Sequence, residues 1–75
     1  MVVLDMEKYN ECKKIELVLR PDFGSSPPIK VGFIRNISTD TETNAISMVD
    51  YVHPVTFNNH WAYGHQVDKV LYIMK

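Results

Sequence analysis

The three histidines, His53, His60 and His65, are the side chains best suited to chemistry, and they lie close together in the chain. Imidazole is a favoured zinc ligand, and three imidazoles leave an open coordination position of the kind that catalytic zinc uses. A fourth ligand would come from Asp50, Asp68 or Cys12. The spacing nevertheless matches none of the strong motifs HxH, HExxH or CxxC. A histidine metal site is therefore an alternative hypothesis, and histidines bonded to backbone or water are the simpler interpretation.

Acid–base or nucleophilic catalysis finds weaker support in the sequence. Asp50 and Asp68 flank the histidine-rich segment, where an Asp–His pair would serve as a general acid or base. Each carboxylate falls within a strand pattern, however, where a lone Asp more often faces solvent or bonds a loop amide. Cys12 has no histidine near it in the sequence. Because a sheet of this length also offers little depth for a water-excluding pocket, we expect neither an enzyme nor a cofactor.

An uncharged segment from Val52 to Val67 carries all three histidines and the single tryptophan. No Asp, Glu, Lys or Arg occurs between Asp50 and Asp68, although 23% of the chain is charged. The centres of protein interfaces are similarly poor in charge and rich in Trp, Tyr, Phe and Met. This composition predicts a surface that binds another protein through Phe57, Asn58, Asn59, His60, Trp61, Tyr63 and His65.

Trp61 has two interpretations within this segment. A small domain needs large apolar side chains in its core, which favours a buried Trp61 with Tyr63, at the same strand parity, beside it. The outward contacts are then Phe57, Asn59 and His60. The other interpretation makes Trp61 itself a binding anchor, because Trp is among the residues that dominate binding energy at interfaces.

The same aromatic side chains suggest single-stranded nucleic acid as an alternative partner. Small β-barrels stack bases on exposed rings, and the candidates here are Tyr51, Phe57, Trp61 and Tyr63. Such binding also needs a positive groove that follows the phosphates. The uncharged segment has no cation, and the formal net charge of the chain is −1. The cations would have to come from Arg20, Lys30 and Arg35, so a nucleic-acid-binding barrel ranks below a protein partner.

Length and cysteine content bound the class of protein. Residues 1–75 form one small β-rich domain, and a chain this short buries only about 60% of the surface that its unfolded form exposes. The single cysteine, Cys12, excludes an internal disulfide and favours a reducing, cytoplasmic location. No run approaches the roughly 20 apolar residues that cross a membrane, so we expect a soluble protein.

Hydrophobic alternation predicts the strands that would hold these side chains. The segment Lys13–Arg20 has apolar residues of one parity at Ile15, Leu17 and Leu19. A second strand, Lys30–Ile37, has Val31, Phe33 and Ile37 on one parity, which Arg35 interrupts. Gly32 within it marks a bulge or a close backbone approach. The polar segment STDTETN then predicts a turn, after which a third strand, Ala45–His53, forms a hairpin with the second.

The two ends of the chain complete the predicted fold. The last strand, Gln66–Met74, is apolar on both parities, which predicts a central position covered on both faces. At the N-terminus, Val2–Met6 is predicted as a strand in preference to a short helix over residues 5–12, because β-branched residues lead it and no capping box is present. The fold class is mostly β, a small antiparallel sheet of four to five strands that is short enough to curl into a partly open barrel.

These observations favour a small non-enzymatic module that binds a larger protein and modulates or inhibits it. Small size, a lone cysteine, balanced charge and no catalytic motif are typical of the modulators that phages and other mobile elements encode, a likeness of type only. The loop PDFGSSPP at residues 21–28 is a second candidate contact. Val2–Met6 or Gln66–Met74 would supply the sheet edge for a homodimer.

Overall fold

The computed structural model describes residues 2–20 and 27–75 of the chain. Within them lie a short helix and six strands: α1 (Met6–Glu11), β1 (Cys12–Leu19), β2 (Ile29–Val31), β3 (Ile34–Thr39), β4 (Ile46–Val52), β5 (Asn59–Tyr63) and β6 (Val67–Met74). A 3-10 turn, Gly64–Gln66, joins β5 to β6. No helix in the described ranges has the length and apolar character to cross a membrane. Most of the PDFGSSPP loop, residues 21–26, lies outside the described residues.

The strands form two antiparallel sheets of three strands each. The first has the order β2-β1-β6 and the second β3-β4-β5. The prediction of a mostly β, antiparallel fold is confirmed. The finer prediction of one sheet with four to five strands is not confirmed, because residues 2–20 and 27–75 form six strands in two sheets that do not close into a barrel.

The predicted second strand, Lys30–Ile37, is divided between the two sheets. Its first part is β2 and its second part is β3, and the chain crosses from one sheet to the other at Gly32 and Phe33. Val31 is fully buried, as predicted, but the Phe33 side chain is 62% exposed. The break explains this difference, because residues on either side of a crossing no longer share one face of one sheet.

One hydrophobic core joins the two sheets. The alternation predicted in the first strand is confirmed, since its three apolar residues of one parity are all buried. The core contains Leu4, Ile15, Leu17, Leu19, Val31, Ile46, Val49, Tyr51, Ala62 and Val67. Burying each side chain of Leu or Val size contributes about 1.5–3 kcal/mol to folding, so this set is the main source of stability.

The predicted hairpin of the second and third strands is present as β3 and β4. Its turn begins at Asp40, whose Oδ1 accepts hydrogen bonds from the backbone N–H groups of Glu42 (2.8 Å) and Thr43 (3.1 Å). These bonds stabilise the carboxylate and lower the pKa of Asp40 below its ordinary value of 3.8. Asn44 completes the turn in the left-handed region (φ 60), where Asn is tolerated better than most residues.

The N-terminus differs from the prediction of a strand over Val2–Met6. Only Val3 makes an isolated bridge, to Ala45, and Met6–Glu11 is helical. Asp5 caps the helix by accepting a bond from the Lys8 N–H at 3.1 Å. This single cap stabilises the first turn without a capping box, which is why the motif search missed it.

The last strand is an edge strand, and the prediction of a central position for Gln66–Met74 is wrong. Among the described strands β6 pairs with β1 alone, and Met74 is 52% exposed. Val70 and Tyr72 on its inner face pack on the core, whereas Leu71 and Ile73, of the other parity, are only half-buried. Tyr72 belongs to the inner face, where its hydroxyl accepts a bond from the Asp5 N–H at 2.9 Å.

Candidate interaction surface

The uncharged segment forms the β4–β5 hairpin, its loop and the 3-10 turn. Sequence reasoning missed β5, which pairs with β4 in the register Val49 with Ala62, Asp50 with Trp61 and Tyr51 with His60. Asn59 and His60 are weak strand formers, so the residue pattern did not predict a strand in this segment. The signal that identifies it is Ala62 between two large aromatic residues, an alternation of small and large side chains with period two.

Trp61 and Tyr63 point to solvent, and the prediction that they belong to the core is wrong. Their side chains are 55% and 51% exposed, whereas Ala62 between them is 3% exposed. The parity is inverted because Ala62 is the residue that faces the core opposite Val49. The two rings meet edge to face at 4.9 Å, and His65 stacks on Tyr63 at 5.7 Å. We call Trp61, Tyr63 and His65 the aromatic stripe.

The other two histidines lie at the opposite face of β5. His60 stacks on Tyr51 with 5.9 Å between ring centroids, and His53 lies 5.2 Å from His60. His53 Nδ1 accepts the backbone N–H groups of Val55 (3.1 Å) and Thr56 (3.4 Å), which leaves its proton on Nε2. The ring of His53 thus supports the hairpin loop.

The candidate metal and catalytic groups do not meet. Within residues 2–20 and 27–75, no three His, Cys, Asp or Glu side chains are arranged to hold a metal ion. Asp68 bonds Arg20, with Nε and Nη2 of Arg20 at 2.9 and 2.8 Å from its Oδ1. Cys12 is a free thiol whose Sγ donates to the Tyr9 carbonyl oxygen at 3.2 Å. Asp68 and Cys12 therefore each have a partner other than a histidine.

The hairpin loop carries the most exposed apolar side chains of the surface. Val55 and Phe57 are 75% and 77% exposed. The His53 N–H donates to the Asn58 carbonyl oxygen (2.9 Å), and the Phe57 N–H donates to the His53 carbonyl oxygen (3.0 Å), which closes the loop. Phe57 has a left-handed backbone (φ 60), a conformation that costs a non-glycine residue roughly 1–2 kcal/mol.

All seven predicted binding residues are exposed on this hairpin and the turn that follows it. The set consists of Phe57, Asn58, Asn59, His60, Trp61, Tyr63 and His65. The structure divides them between the loop tip, the aromatic stripe on one face of β5 and His60 on the other face. The seven therefore surround one edge strand and do not form a single flat patch.

β5 is the one edge strand without a charged residue in the described part of the chain. The other three edges carry a cation each: Lys30 in β2, Arg35 in β3 and Lys69 in β6. Charged side chains, lysine above all, are a common protection of sheet edges against pairing with other chains. β5 lacks this protection.

Gly64 fixes the end of β5 against β4. A Cβ atom at this position would overlap the backbone carbonyl group of Ile46, so only glycine permits the approach. Gly64 has no positive φ, so the close contact with β4, and not conformational freedom, is what requires glycine here. The Tyr63 N–H then donates to Gln66 Oε1 at 2.9 Å, which closes the 3-10 turn.

An open groove of about 580 Å³ runs beside β5, between the two sheets. The first sheet and the residue after β1 contribute Leu19, Ile29 and Arg20, and the second sheet contributes Tyr51, His60 and Ala62. His53, His65 and Gln66 also line it. Among the described residues no carboxylate lines the groove, and its one permanent charge is that of Arg20.

Comparisons of the chain with protein-family models, with curated proteins and with solved structures give no match. The function is therefore inferred from geometry and chemistry. The relevant geometry is an edge strand that no charged side chain protects, with the aromatic stripe on one face and the strained loop tip at one end. The hydrogen-bonding side chains around it are uncharged.

Proposed function

We propose that this chain is a non-enzymatic interaction module that binds a larger protein through the β4–β5 hairpin and alters that protein's activity. The observation that carries the proposal is the exposure of Phe57, Trp61 and Tyr63 on a hairpin with no charged residue between Asp50 and Asp68. Exposed apolar side chains clustered on one element, rather than scattered singly, are typical of protein interaction sites.

The aromatic stripe suits a binding anchor energetically. Trp and Tyr are the residues that most often carry binding energy, because they bury large areas and have few rotatable bonds. Trp61 and Tyr63 already contact each other edge to face at 4.9 Å, and His65 stacks on Tyr63. These contacts restrict the rings before binding, so less side-chain entropy is lost when a partner covers them.

The backbone strain at Phe57 supports the same function. Asn or Gly would occupy a left-handed position with less strain, yet the position holds a large apolar side chain that is 77% exposed. Such a residue contributes little to the core and costs stability in the free protein. A role in contact with a partner gives a physical reason for both features.

The proposal also includes the kind of modulation, which is inhibition, and the cellular location, which is the cytoplasm. Steric inhibition of a larger protein is the modulation that a small domain of this size performs most simply, and phage-encoded modulators are the analogy of type. The free thiol of Cys12, with no disulfide in the chain, supports a reducing cytoplasmic environment.

The test is affinity capture from the native host, followed by titration of the purified captured protein. Trp61→Thr, which keeps a strand-forming residue, is expected to weaken binding roughly a hundredfold, or about 2.7 kcal/mol. Phe57→Asn is expected to weaken it roughly tenfold while leaving the melting temperature equal or higher. Phe33→Asn is the matched control, because Phe33 is similarly exposed but lies at the opposite edge of the second sheet.

Two results would contradict the proposal. One is unchanged affinity in both hairpin variants while Phe33→Asn abolishes binding, which would move the contact to the β3 edge. The other is loss of the folded state in Trp61→Thr, measured by circular dichroism, which would make the ring structural.

A further inference from the structure

We infer that β5 binds an extended segment of its partner as an added strand, and that this segment carries a carboxylate side chain that enters the groove beside Arg20. The inference deepens the proposed function and rests on it. It names the mode of recognition and the chemistry of the recognised segment.

Hydrogen bonding in the β4–β5 hairpin shows which backbone groups of β5 face outward. The His53 N–H donates to the Asn58 carbonyl oxygen at 2.9 Å and begins the ladder. Bonded pairs recur at every second residue of an antiparallel pair, so the next bonded pair is Tyr51 with His60. Residues of the opposite parity in β5 direct their N–H and C=O groups away from β4.

Asn59 and Trp61 are the residues that present these outward groups. Tyr63 has the same parity, and its N–H bonds Gln66 Oε1 outside the sheet, as this geometry requires. In the described part of the chain, the backbone groups of Asn59 and Trp61 have no partner. Donors and acceptors spaced in this way match the pattern that an extended peptide presents, which is the basis of strand addition.

The groove alongside this edge sets the charge of the segment. Arg20 contacts a single oxygen of Asp68 through Nε and Nη2, and Nη1 has no acceptor among the described residues. The imidazoles of His53, His60 and His65 are neutral or positive, and no described carboxylate lines the groove. A carboxylate on the incoming strand would therefore meet the free Nη1 side of the guanidinium, with Asp68, on the Nε and Nη2 side, as the nearest like charge.

Two other occupants fit less well. A nucleic acid strand needs several cations along its phosphates, and Arg20 is the groove's one permanent cation among the described residues. A second copy of this chain that paired through its own β5 would bring no carboxylate, because no Asp or Glu occurs between Asp50 and Asp68. An acidic extended peptide would pair with the outward backbone groups of β5 and would place its carboxylate beside Arg20 in the groove.

The experiment begins with a display library of short random peptides selected on the full-length protein. Enriched peptides are expected to have β-branched residues at every second position, as strands do, and to contain Asp or Glu. One enriched peptide is then synthesised beside a version with the acid replaced by its amide, and both are titrated by fluorescence anisotropy. The amide version is expected to bind roughly tenfold more weakly. Enrichment of helical or basic sequences would overturn the inference.

Amide hydrogen exchange then locates the added strand. Binding of the acidic peptide is expected to slow exchange at Asn59 and Trp61 roughly tenfold or more, because both N–H groups gain an acceptor. Ala62, already bonded to β4, and Tyr63, already bonded to Gln66, are the internal controls and are expected to change little. Tight binding without protection at Asn59 and Trp61 would refute strand addition while leaving the proposed function intact.

Substitution of the cation tests the charge. Arg20→Gln is expected to weaken the acidic peptide roughly fivefold and the amide peptide hardly at all, whereas Arg35→Gln on β3 affects neither. A short thymidine oligonucleotide that displaces the peptide from the same residues would assign the groove to nucleic acid instead. A dimer in sedimentation with Asn59 and Trp61 protected in the absence of peptide would assign the edge to a second copy.

Discussion

β5 and β6 are both edge strands, but their surroundings differ. β6 carries Asp68 and Lys69, its Asp68 is held by Arg20, and the short helix α1 packs on it. Within α1, Lys8 lies 5.9 Å from the centroid of the Tyr72 ring of β6. β5 has no charged residue, no helix of the described residues covers it, and three exposed rings lie along or beside it.

The difference shows that edge protection in this fold is selective. A cation in β2, β3 and β6 opposes pairing with other chains, since burying a charge beside a new strand is costly. Under the proposed function, the same protection on β5 would block the edge that binds the partner. The comparison therefore predicts that the two kinds of edge can be exchanged by single substitutions, provided that β5 remains correctly placed.

The largest expected effect comes from disturbing the placement of β5. Gly64→Ala forces a Cβ into the Ile46 carbonyl group, and we expect a loss of about 3 kcal/mol in the free energy of unfolding, measured with urea. Gly32→Ala is the matched control. Its new Cβ would meet only Glu16 Oε2 at 3.5 Å and Lys14 Nζ at 4.0 Å, so we expect a change within about 0.5 kcal/mol. Equal losses in the two variants would show that Gly64 does not fix this edge.

Exchanging the protection of the two edges is the next test. Trp61→Lys places a cation on β5 and is expected to abolish partner binding while changing the unfolding free energy by about 0.5 kcal/mol or less. Lys69→Val removes the cation from β6 and is expected to increase self-association in sedimentation relative to the wild-type chain. If Lys69→Val sediments as the wild type does, charge is not what protects β6.

A smaller effect is expected at the ion pair that joins the end of β1 to β6. The Arg20 and Asp68 side chains are 63% and 38% exposed, so solvent screens their attraction. Arg20→Ala is expected to lower the unfolding free energy by only about 0.5 kcal/mol. Asp68→Asn should lower it by a similar amount and leave peptide binding in place. A much larger loss in either variant would mean that the pair holds the sheet end together.

The smallest effect is expected in the β3–β4 turn, far from β5. Asp40→Ala removes the acceptor of two backbone N–H groups and should lower the melting temperature slightly, while Asp40→Asn keeps an acceptor and should lower it less. Because the folded pKa of Asp40 is lowered, the charged form stabilises the turn above pH 3.8, and this contribution is lost as the pH falls through the lowered pKa. The gap between wild type and Asp40→Asn should therefore narrow in acid. A gap that stays constant with pH would contradict this origin.

Residue patterns with one clear period predicted the fold well. The alternation at Ile15, Leu17 and Leu19 predicted β1 and its buried face, and the polar turn after Thr39 predicted the β3–β4 hairpin. Both depend on local chemistry, which the sequence contains in full. The division of Lys30–Ile37 between two sheets depends on the path of the chain around a shared core, which no local pattern encodes.

The candidate surface was predicted in composition but not in shape. The seven residues came from the lack of charge and the aromatic content, and the structure exposes all of them. The predicted burial of Trp61 was wrong. Its size alone suggested the core, whereas the small Ala62 is the residue that fits opposite Val49. The left-handed Phe57 could not be predicted, since its residue type disfavours that conformation.

The path of the chain through its two sheets also has a kinetic consequence. The second sheet uses a continuous stretch of the chain, from Ile34 to Tyr63, and each of its strands pairs with the next in sequence. The first sheet must join β1 to β6 across nearly the whole length of the chain. Local pairings form faster than distant ones, so we expect pulse-labelled amides of Val49 and Ala62 to gain protection before that of Leu17. The edge strand β5, to which partner binding is proposed, would then be assembled while the rest of the domain is still closing.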